Sequence, residues 1–375
     1  MTSGYLVRFP TRGESPRLAV KDSIDLAGQR TGMGSPAFAQ TQPAQRNAEV
    51  VDKLLAARFE IAGKTRLHGL ALGATGINAW SGTPINPSFP ELVPGGSSSG
   101  SAAVIAAGEA ELAIGTDTGG SVRVPAACCG VFGLKTTAGL ISRAGVHPAA
   151  SSLDVVGLFA RDPAVIARAL HAVTVDAPLS DRPIRRLGRI QIAADLDVDA
   201  AVTVACVHAN LTVDPVVWPG MKAAFKAGLA LINAESWDAY GELVEAGLLP
   251  ADVSERLRAG SRVTDAQRLE AEAVRRRARL EVDALLAQVD ALLLPTLAIF
   301  PPSLAEGGAD PSGIALTALV RPFNLTGHPA LSVPIARTKR GPIAMQIVGR
   351  LGSDLALCDF AKNMFPANHN QGGAA

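Results

Sequence analysis

Several features that would mark other classes of protein are scarce in this sequence. Its 375 residues include four cysteines, six histidines, three tryptophans and two tyrosines, and charged residues make up only 18% of the chain. With a formal net charge of +1, the chain has no basic surplus for nucleic-acid phosphates and no acidic excess typical of a disordered tail. We therefore expect no nucleic acid among its direct ligands.

The cysteines and histidines do not form the patterns of a metal site or a disulfide framework. Cys128, Cys129, Cys206 and Cys358 lack zinc-ligand spacing, and the histidines are scattered without an HxxxH pattern. So few cysteines in a long chain suit a reducing cytoplasm. The sequence thus predicts no metal and no cofactor, and core packing for Cys128 and Cys129.

Long hydrophobic runs are also missing. Residues 1–22 contain no apolar segment typical of a secretory signal, and the later apolar stretches are interrupted by Glu109, Glu111, Asp117 or proline. We expect a soluble, cytoplasmic protein without membrane contact.

The local patterns alternate between strand and helix. Residues 17–28 read as a strand with Lys21 near its end and a turn at Gly28, and residues 44–60 have apolar side chains at helical spacing. Residues 69–101 form a loop rich in Gly, Pro, Ser and Asn, a length that is usually functional inside a compact domain. Residues 102–114 then predict a buried helix running into a short strand.

The second half of the chain is predicted to be mostly helical before it returns to strands. Residues 163–290 carry helical patterns, ending in a charged helix around 264–288, whereas ALLLPT (291–296) and PALSVPI (329–335) indicate buried strands. We expect this last strand pair to rejoin the sheet of the first half. The final residues, 366–375, have the composition of a disordered tail.

Two loops of glycine and serine, PGGSSSGS at 94–101 and GTDTGGS at 115–121, carry the candidate chemistry. Such loops are commonly plain turns. Neither contains the lysine of a phosphate loop. Residues 96–100 match the GxSxG nucleophile elbow, for which the candidate bases are His147, His208 and His328, but the preceding ELVPGG is a poor strand.

The remaining interpretation is a serine that works without histidine. In that arrangement Ser121 attacks, its proton passes through a second serine, and a neutral amine accepts it. Three segments supply these groups: VKD at 20–22 and the two glycine- and serine-rich loops.

These segments together resemble the amidase signature family. The resemblance is carried by VKD, GGSSSGSAAVIAAG at 95–108 and GTDTGGSVRVPAACCGVFGLK at 115–135. It continues through 140–162, ALLLPT, FNLTGHPALSVPI and AMQIVG, and covers roughly residues 18–165 and 285–350.

The resemblance implies an α/β fold: a single large domain, residues 1–375, with a central mixed sheet covered by helices on both faces. The signature core would span about 18–165, a variable and mainly helical middle about 166–285, and the rest of the core about 286–365. Most members carry several tens of residues of helix before the VKD strand, so the fold would be shortened at its N-terminus.

The resemblance also assigns the site. Ser121 would be the nucleophile, Ser97 the proton relay after a cis Gly96–Ser97 bond, and Lys21 the base. Because a free lysine is protonated at pH 7, burial would have to lower the pKa of Lys21. The amides of Thr118, Gly119, Gly120 and Ser121 would form the oxyanion hole. A surrounding shell that holds both loops would comprise Ser98, Thr116, Asp117 and Arg123.

The implied activity is hydrolysis of a small carboxamide to a carboxylic acid and ammonia. The expected partners are a small-molecule amide and a second copy of the chain as a homodimer. Apolar residues between His68 and Trp80, including Leu70, suggest an apolar acyl group. Two alternatives remain open: an amidotransferase A-type subunit that supplies ammonia from glutamine, and a catalytically silent partner subunit.

Overall fold

The centre of the protein is a mixed sheet. The computed structural model describes residues 2–174, 179–180, 182–310 and 313–365. Within these residues the sheet has 11 strands, in the order β1-β3-β2-β4-β6-β5-β10-β11-β9-β7-β8. The strands are β1 (Tyr5–Arg8), β2 (Arg17–Lys21), β3 (Glu60–Thr65), β4 (Leu112–Asp117), β5 (Phe132–Lys135), β6 (Val155–Ala160), β7 (Leu187–Ile190), β8 (Val213–Val216), β9 (Ala291–Pro295), β10 (Ala330–Thr338) and β11 (Gly341–Gly349).

The sheet combines parallel and antiparallel pairs. Strand β2 runs parallel to β3 and β4, and β7 runs parallel to β8 and β9. The strands between these groups are antiparallel, including β10, which pairs with β5 through Ala330 and Lys135. The expectation that the last strand pair rejoins the sheet of the first half is therefore confirmed.

Helices cover both faces of the sheet. They are α1 (Glu49–Ala56), α2 (Ser99–Ala106), α3 (Arg123–Cys129), α4 (Pro163–Val173), α5 (Leu196–His208), α6 (Met221–Glu245), α7 (Ala251–Ser261), α8 (Asp265–Gln288), α9 (Leu304–Ala309), α10 (Arg321–Thr326) and α11 (Asp354–Met364). The alternation of side chains along each strand separates two cores. Leu158 packs in the core shared with α1, α4 and α11, whereas its neighbour Phe159 packs with α2 and α3. The predicted α/β fold with helices on both faces is confirmed.

Several predicted elements differ in extent from the observed ones. Strand β2 ends at Lys21. A turn follows directly, in which the Ile24 N–H donates to the Lys21 carbonyl. Helix α1 begins later and ends earlier than the predicted 44–60, and its C-terminal end is followed by Arg58, whose φ of 64° is not helical. The middle segment also contains β7 and β8, whose four residues each are too short to give a clear alternating pattern.

The cysteines lie where the sequence predicted. Cys128 and Cys129 are buried in α3, and all four cysteines are free thiols. In the part of the chain that the structure describes, no helix combines the length and apolar character needed to cross a membrane. The predicted disordered tail, 366–375, lies outside the described residues.

The two-core arrangement makes the central strands sensitive to loss of volume. Leu158 in β6 is 0% exposed, so Leu158→Ala is expected to lower the free energy of unfolding by about 2–5 kcal/mol through lost burial and a residual cavity. Leu280→Ala is the matched control, because Leu280 lies on α8 and is 70% exposed. We expect the control to change stability by less than about 0.5 kcal/mol in chemical denaturation. Equal losses in the two variants would contradict this assignment of the core.

Candidate active site

Lys21 is placed by the sheet itself. It is the last residue of β2, between β3 and β4, and its side chain is fully buried. Its Nζ lies 2.8 Å from the Ser97 Oγ and 2.7 Å from the Thr116 Oγ1. The three polar groups thus meet where β2 and β4 end, beneath the serine-rich loop.

Burial changes the proton affinity of this amine. Removal of Lys21 from water lowers its pKa to about 7, although the negative charges of Asp154 and Asp117 act in the opposite direction. A large fraction of Lys21 is therefore neutral at pH 7. In that state the amine can accept a proton from the Ser97 hydroxyl.

Ser97 lies in a tightly folded loop before α2. The Gly96–Ser97 peptide bond is cis, as the resemblance implied. The Ser97 carbonyl accepts a hydrogen bond of 3.0 Å from the His68 N–H. A Cβ on Gly96 would lie 2.7 Å from the Gly76 nitrogen, so a side chain there would force neighbouring backbone to move.

Ser121 lies in the second loop and is only half-buried. Its carbonyl accepts a 3.2 Å hydrogen bond from the Ser98 N–H, which ties the two loops together. The Ser98 hydroxyl donates to the Thr116 carbonyl at 3.2 Å. Among the described residues, no hydrogen bond joins the hydroxyls of Ser97 and Ser121.

The loop between β4 and α3 carries the four backbone amides that were predicted to form the oxyanion hole. The Gly120 N–H donates to the Asp117 Oδ1 at 2.7 Å and is therefore already engaged. The amides of Thr118, Gly119 and Ser121 have no acceptor among the described residues, which leaves three of the four predicted donors available. Gly120 has φ of 118°, and a Cβ there would lie 2.3 Å from the Val320 Cγ2.

A buried ion pair holds this loop. Asp117 and Arg123 side chains are 0% exposed, and their closest charged atoms are 3.0 Å apart. Burial alone would raise the pKa of Asp117, but the charge and hydrogen bonds of Arg123 hold it far below its ordinary value. Arg123 also donates to the Val320 carbonyl and to side chains of Asn324 and Gln346.

Two groups beside the loop were missed by the sequence analysis. Asn324 donates to the Asp117 carbonyl and carboxylate, and Asp154 accepts from the Thr118 hydroxyl at 2.8 Å while Arg143 holds its other oxygen. Asn324 belongs to the FNLTG segment and Gln346 to the AMQIVG segment. Both segments carry the family resemblance, and that membership was the signal that could have identified these residues.

The histidines proposed for a nucleophile elbow have other partners. His147 contacts Asp25, and His328 contacts Asp283 and Thr326. His208 is exposed at the end of α5. Burial raises the pKa of the Cys128 and Cys129 thiols, which disfavours a reactive thiolate. No cluster of potential metal ligands is found among the described residues.

One residue of the predicted apolar pocket, Leu70, lies in the core of the protein. Leu70 is 1% exposed and belongs to the core that includes Tyr240 and Val244. Trp80 lines a cavity of about 670 Å³ together with Asp22 and Lys64, and neither Ser97 nor Ser121 contributes to it. Leu70 and Trp80, at the two ends of this loop, therefore have different surroundings: Leu70 packs in the core, and Trp80 lines a cavity that also contains charged side chains.

Comparisons with known proteins agree with this geometry. The sequence profile of the family described as Amidase matches residues 17–186 and 199–358. The A-type subunit of glutamyl-tRNA(Gln) amidotransferase from Archaeoglobus fulgidus is 33% identical over 387 residues, covering 92% of this chain and 84% of that protein. Amidase 1 of Oryza sativa is 44% identical over 178 residues, 47% of this chain and 40% of that protein.

The fold comparison points the same way. A crystal structure of an amidase superimposes with a TM-score of 0.83 and 29% identity, covering 93% of this chain and 83% of that one. The family profile spans far more than half of the chain, and amidases are found among both its relatives and its structural neighbours. The chain therefore belongs to the amidase signature family.

Proposed function

We propose that this protein hydrolyses a small carboxamide through an acyl-enzyme on Ser121, with Ser97 as relay and Lys21 as base. The observation that carries the proposal is the contact of 2.8 Å between the Lys21 Nζ and the Ser97 Oγ inside a fully buried site. Histidine is not needed, because burial has already brought the pKa of Lys21 to about 7.

The proposed first half-reaction makes the acyl-enzyme. The Ser121 Oγ attacks the amide carbonyl carbon while its proton moves to Ser97, and the Ser97 proton moves to neutral Lys21. The resulting oxyanion is stabilised by the free amides of Thr118, Gly119 and Ser121. Collapse breaks the C–N bond, and the proton held by Lys21 returns through Ser97 to the leaving nitrogen, which departs as ammonia.

The second half-reaction repeats the relay with water. Water attacks the Ser121 ester as its proton passes through Ser97 to Lys21, and collapse releases the carboxylic acid and restores the Ser121 hydroxyl. The hydroxyls of Ser97 and Ser121 share no hydrogen bond in the described residues. Since catalytic hydrogen bonds commonly tighten only with substrate bound, a small movement of Ser121 on binding completes the relay.

The shell around the loops keeps these groups in position. The Asp117 carboxylate, which pairs with Arg123, accepts hydrogen bonds from the backbone amides of Gly120, Val122 and Arg123. Thr116 fixes the Lys21 amine, and Ser98 connects β4 to the loop that carries Ser97. The roles proposed for Ser98, Thr116, Asp117 and Arg123 are therefore positional.

A second candidate is an amidotransferase A-type subunit that releases ammonia from glutamine for a partner. The observation in its favour is the 33% identity to the A-type subunit of a glutamyl-tRNA(Gln) amidotransferase. The formal net charge of +1 gives this chain no overall basic surplus for the phosphates of tRNA. We therefore favour the simple hydrolase, with a cytoplasmic location and a small-molecule substrate.

Removal of the nucleophile provides the first test. Ser121→Ala is expected to abolish ammonia release from a panel of aliphatic, aromatic and indolic carboxamides, because no other hydroxyl can form the acyl-enzyme. Ser261→Ala is the matched control, since Ser261 is exposed at the end of α7 and its hydroxyl contacts the Arg258 carbonyl. Ammonia release at the wild-type rate by Ser121→Ala would refute the mechanism.

The pH dependence tests the base. Lys21 acts in its neutral form, so kcat/KM is expected to rise with pH through the pKa of about 7, by about tenfold between pH 6 and pH 8. Lys135 is a buried lysine with a pKa also lowered to about 7 by desolvation, and Lys135→Met should retain the same limb. If the rise of kcat/KM with pH disappeared in Lys135→Met and persisted in Lys21→Met, Lys21 would not be the base.

The two candidate functions differ in what the isolated chain can hydrolyse. We expect the purified protein alone to release ammonia from simple carboxamides at least as efficiently as from glutamine, measured as kcat/KM. A protein that is silent on simple amides and acts on glutamine only when a second subunit is added would instead belong to an amidotransferase complex.

A further inference from the structure

Arg321 is a buried cation with two guanidinium nitrogens that have no partner among the described residues. It is the first residue of α10 and only 3% exposed, and its Nε and Nη1 have no hydrogen-bond partner among the described residues. Arg123, buried just as deeply nearby, has partners for Nε, Nη1 and Nη2. Because unsatisfied buried donors are costly, the open donors of Arg321 require an explanation.

The position of Arg321 relates it to the candidate active site. A Cβ built on Gly119 would lie 3.3 Å from the Arg321 Nε, so the guanidinium lies directly against the proposed oxyanion loop. Gly119 precedes Ser121 by two residues, which limits the distance between their Cα atoms to about 7 Å. Arg321 therefore contacts the same short loop that carries Ser121.

Helix α6 packs against the guanidinium and the stem of Arg321. Its central carbon lies 4.5 Å above the centre of the Phe225 ring, so the aromatic side chain of α6 supports one face. On the same helix, a Cβ at Gly228 would lie 3.1 Å from the Arg321 Cγ. Glycine at this position gives the arginine the room to lie between α6 and the loop.

The charges near Arg321 are suited to an anion. Burial, followed by the positive charge of Arg256 in α7, lowers the pKa of Arg321 to about 9, so it remains charged at pH 7. Asp117 is close to the same loop, but its oxygens are occupied by Arg123, Asn324 and backbone amides. No carboxylate of the described residues forms an ion pair with Arg321.

We propose that Arg321 binds a carboxylate of the substrate, and that the substrate is a short amide carrying this carboxylate a few bonds from the scissile carbonyl. The inference rests on the proposed hydrolase function. Arg321 offers unpaired N–H donors and a positive charge, a combination that favours a carboxylate over neutral groups. A substrate with a carboxylate takes the place of the apolar acyl group that the residues of the 68–80 loop suggested.

Matched pairs of substrates test this proposal. The acids are malonamate, succinamate and glutaramate, and their neutral counterparts are propionamide, butyramide and pentanamide, in which a methyl group takes the place of the carboxylate. The wild type is expected to prefer one of the acids over its counterpart in kcat/KM by at least about tenfold, and Arg321→Met should remove about 10- to 100-fold of that preference.

The neutral amides show whether Arg321 recognises charge or only supports the fold. Arg321→Met should lose at least about tenfold less kcat/KM on the neutral amides than on the acids, and Arg321→Lys should recover part of the activity on the acids because it restores the charge. Arg337→Met is the matched control, since Arg337 is an exposed arginine lying 5.3 Å from the Phe89 ring centre. Equal losses on acids and neutral amides would overturn the proposal, as would a wild type that prefers the neutral amides.

Binding without turnover separates this proposal from the hydrolase mechanism. In Ser121→Ala, calorimetry should detect at least one of the three acids, and the double variant Ser121→Ala/Arg321→Met should bind it at least tenfold more weakly. This result would stand even if the wild type hydrolysed none of the six amides, which would refute the proposed function alone. Unchanged binding in the double variant, with an unchanged melting temperature, would refute the role of Arg321.

Discussion

The buried carboxylate of Asp117 is the interaction on which the rest of the candidate site depends. It lies at the end of β4, where the strand gives way to the loop of Ser121, and it accepts hydrogen bonds from the Gly120 and Val122 amides at 2.7 and 3.1 Å. A buried charge of this kind costs stability unless it is paired and hydrogen-bonded. Arg123 and Asn324 meet that requirement, and in doing so they bring α10, some 200 residues further along the chain, against the loop.

The sheet explains why residues so distant in sequence can cooperate. Lys21 and Asp117 both end parallel neighbours, β2 and β4, so their side chains emerge at the same edge. The pairing of β10 with β5 carries the C-terminal half to the same sheet. Arg123 then joins the two halves through the Val320 carbonyl and Gln346. A rigid centre thus supports loops whose own sequences are mostly glycine and serine.

The sequence predicted those parts of this arrangement that depend on local patterns. Lys21 near the end of a strand and the buried helix after Ser97 were both evident from apolar spacing. The ends of α1 and the short strands β7 and β8 were not, because a positive φ at Arg58 and four-residue strands leave little periodic signal. Engagement of the Gly120 amide by Asp117, and the pairing of Asn324 with it, depend on tertiary contacts that no local pattern encodes.

The same physical effect, burial of a cation, has opposite consequences at two points of the site. Lys21 begins with an ordinary pKa of 10.5, and desolvation brings it to about 7, where the neutral amine needed by a base is well populated. Arg321 begins at 12.5 and is lowered to about 9, so it stays charged at pH 7. Desolvation therefore leaves much of the lysine neutral at pH 7 and leaves the arginine charged. Among the described residues no carboxylate forms an ion pair with that arginine, so its buried charge costs stability. In the role proposed for Arg321, an anionic substrate would offset this cost on binding.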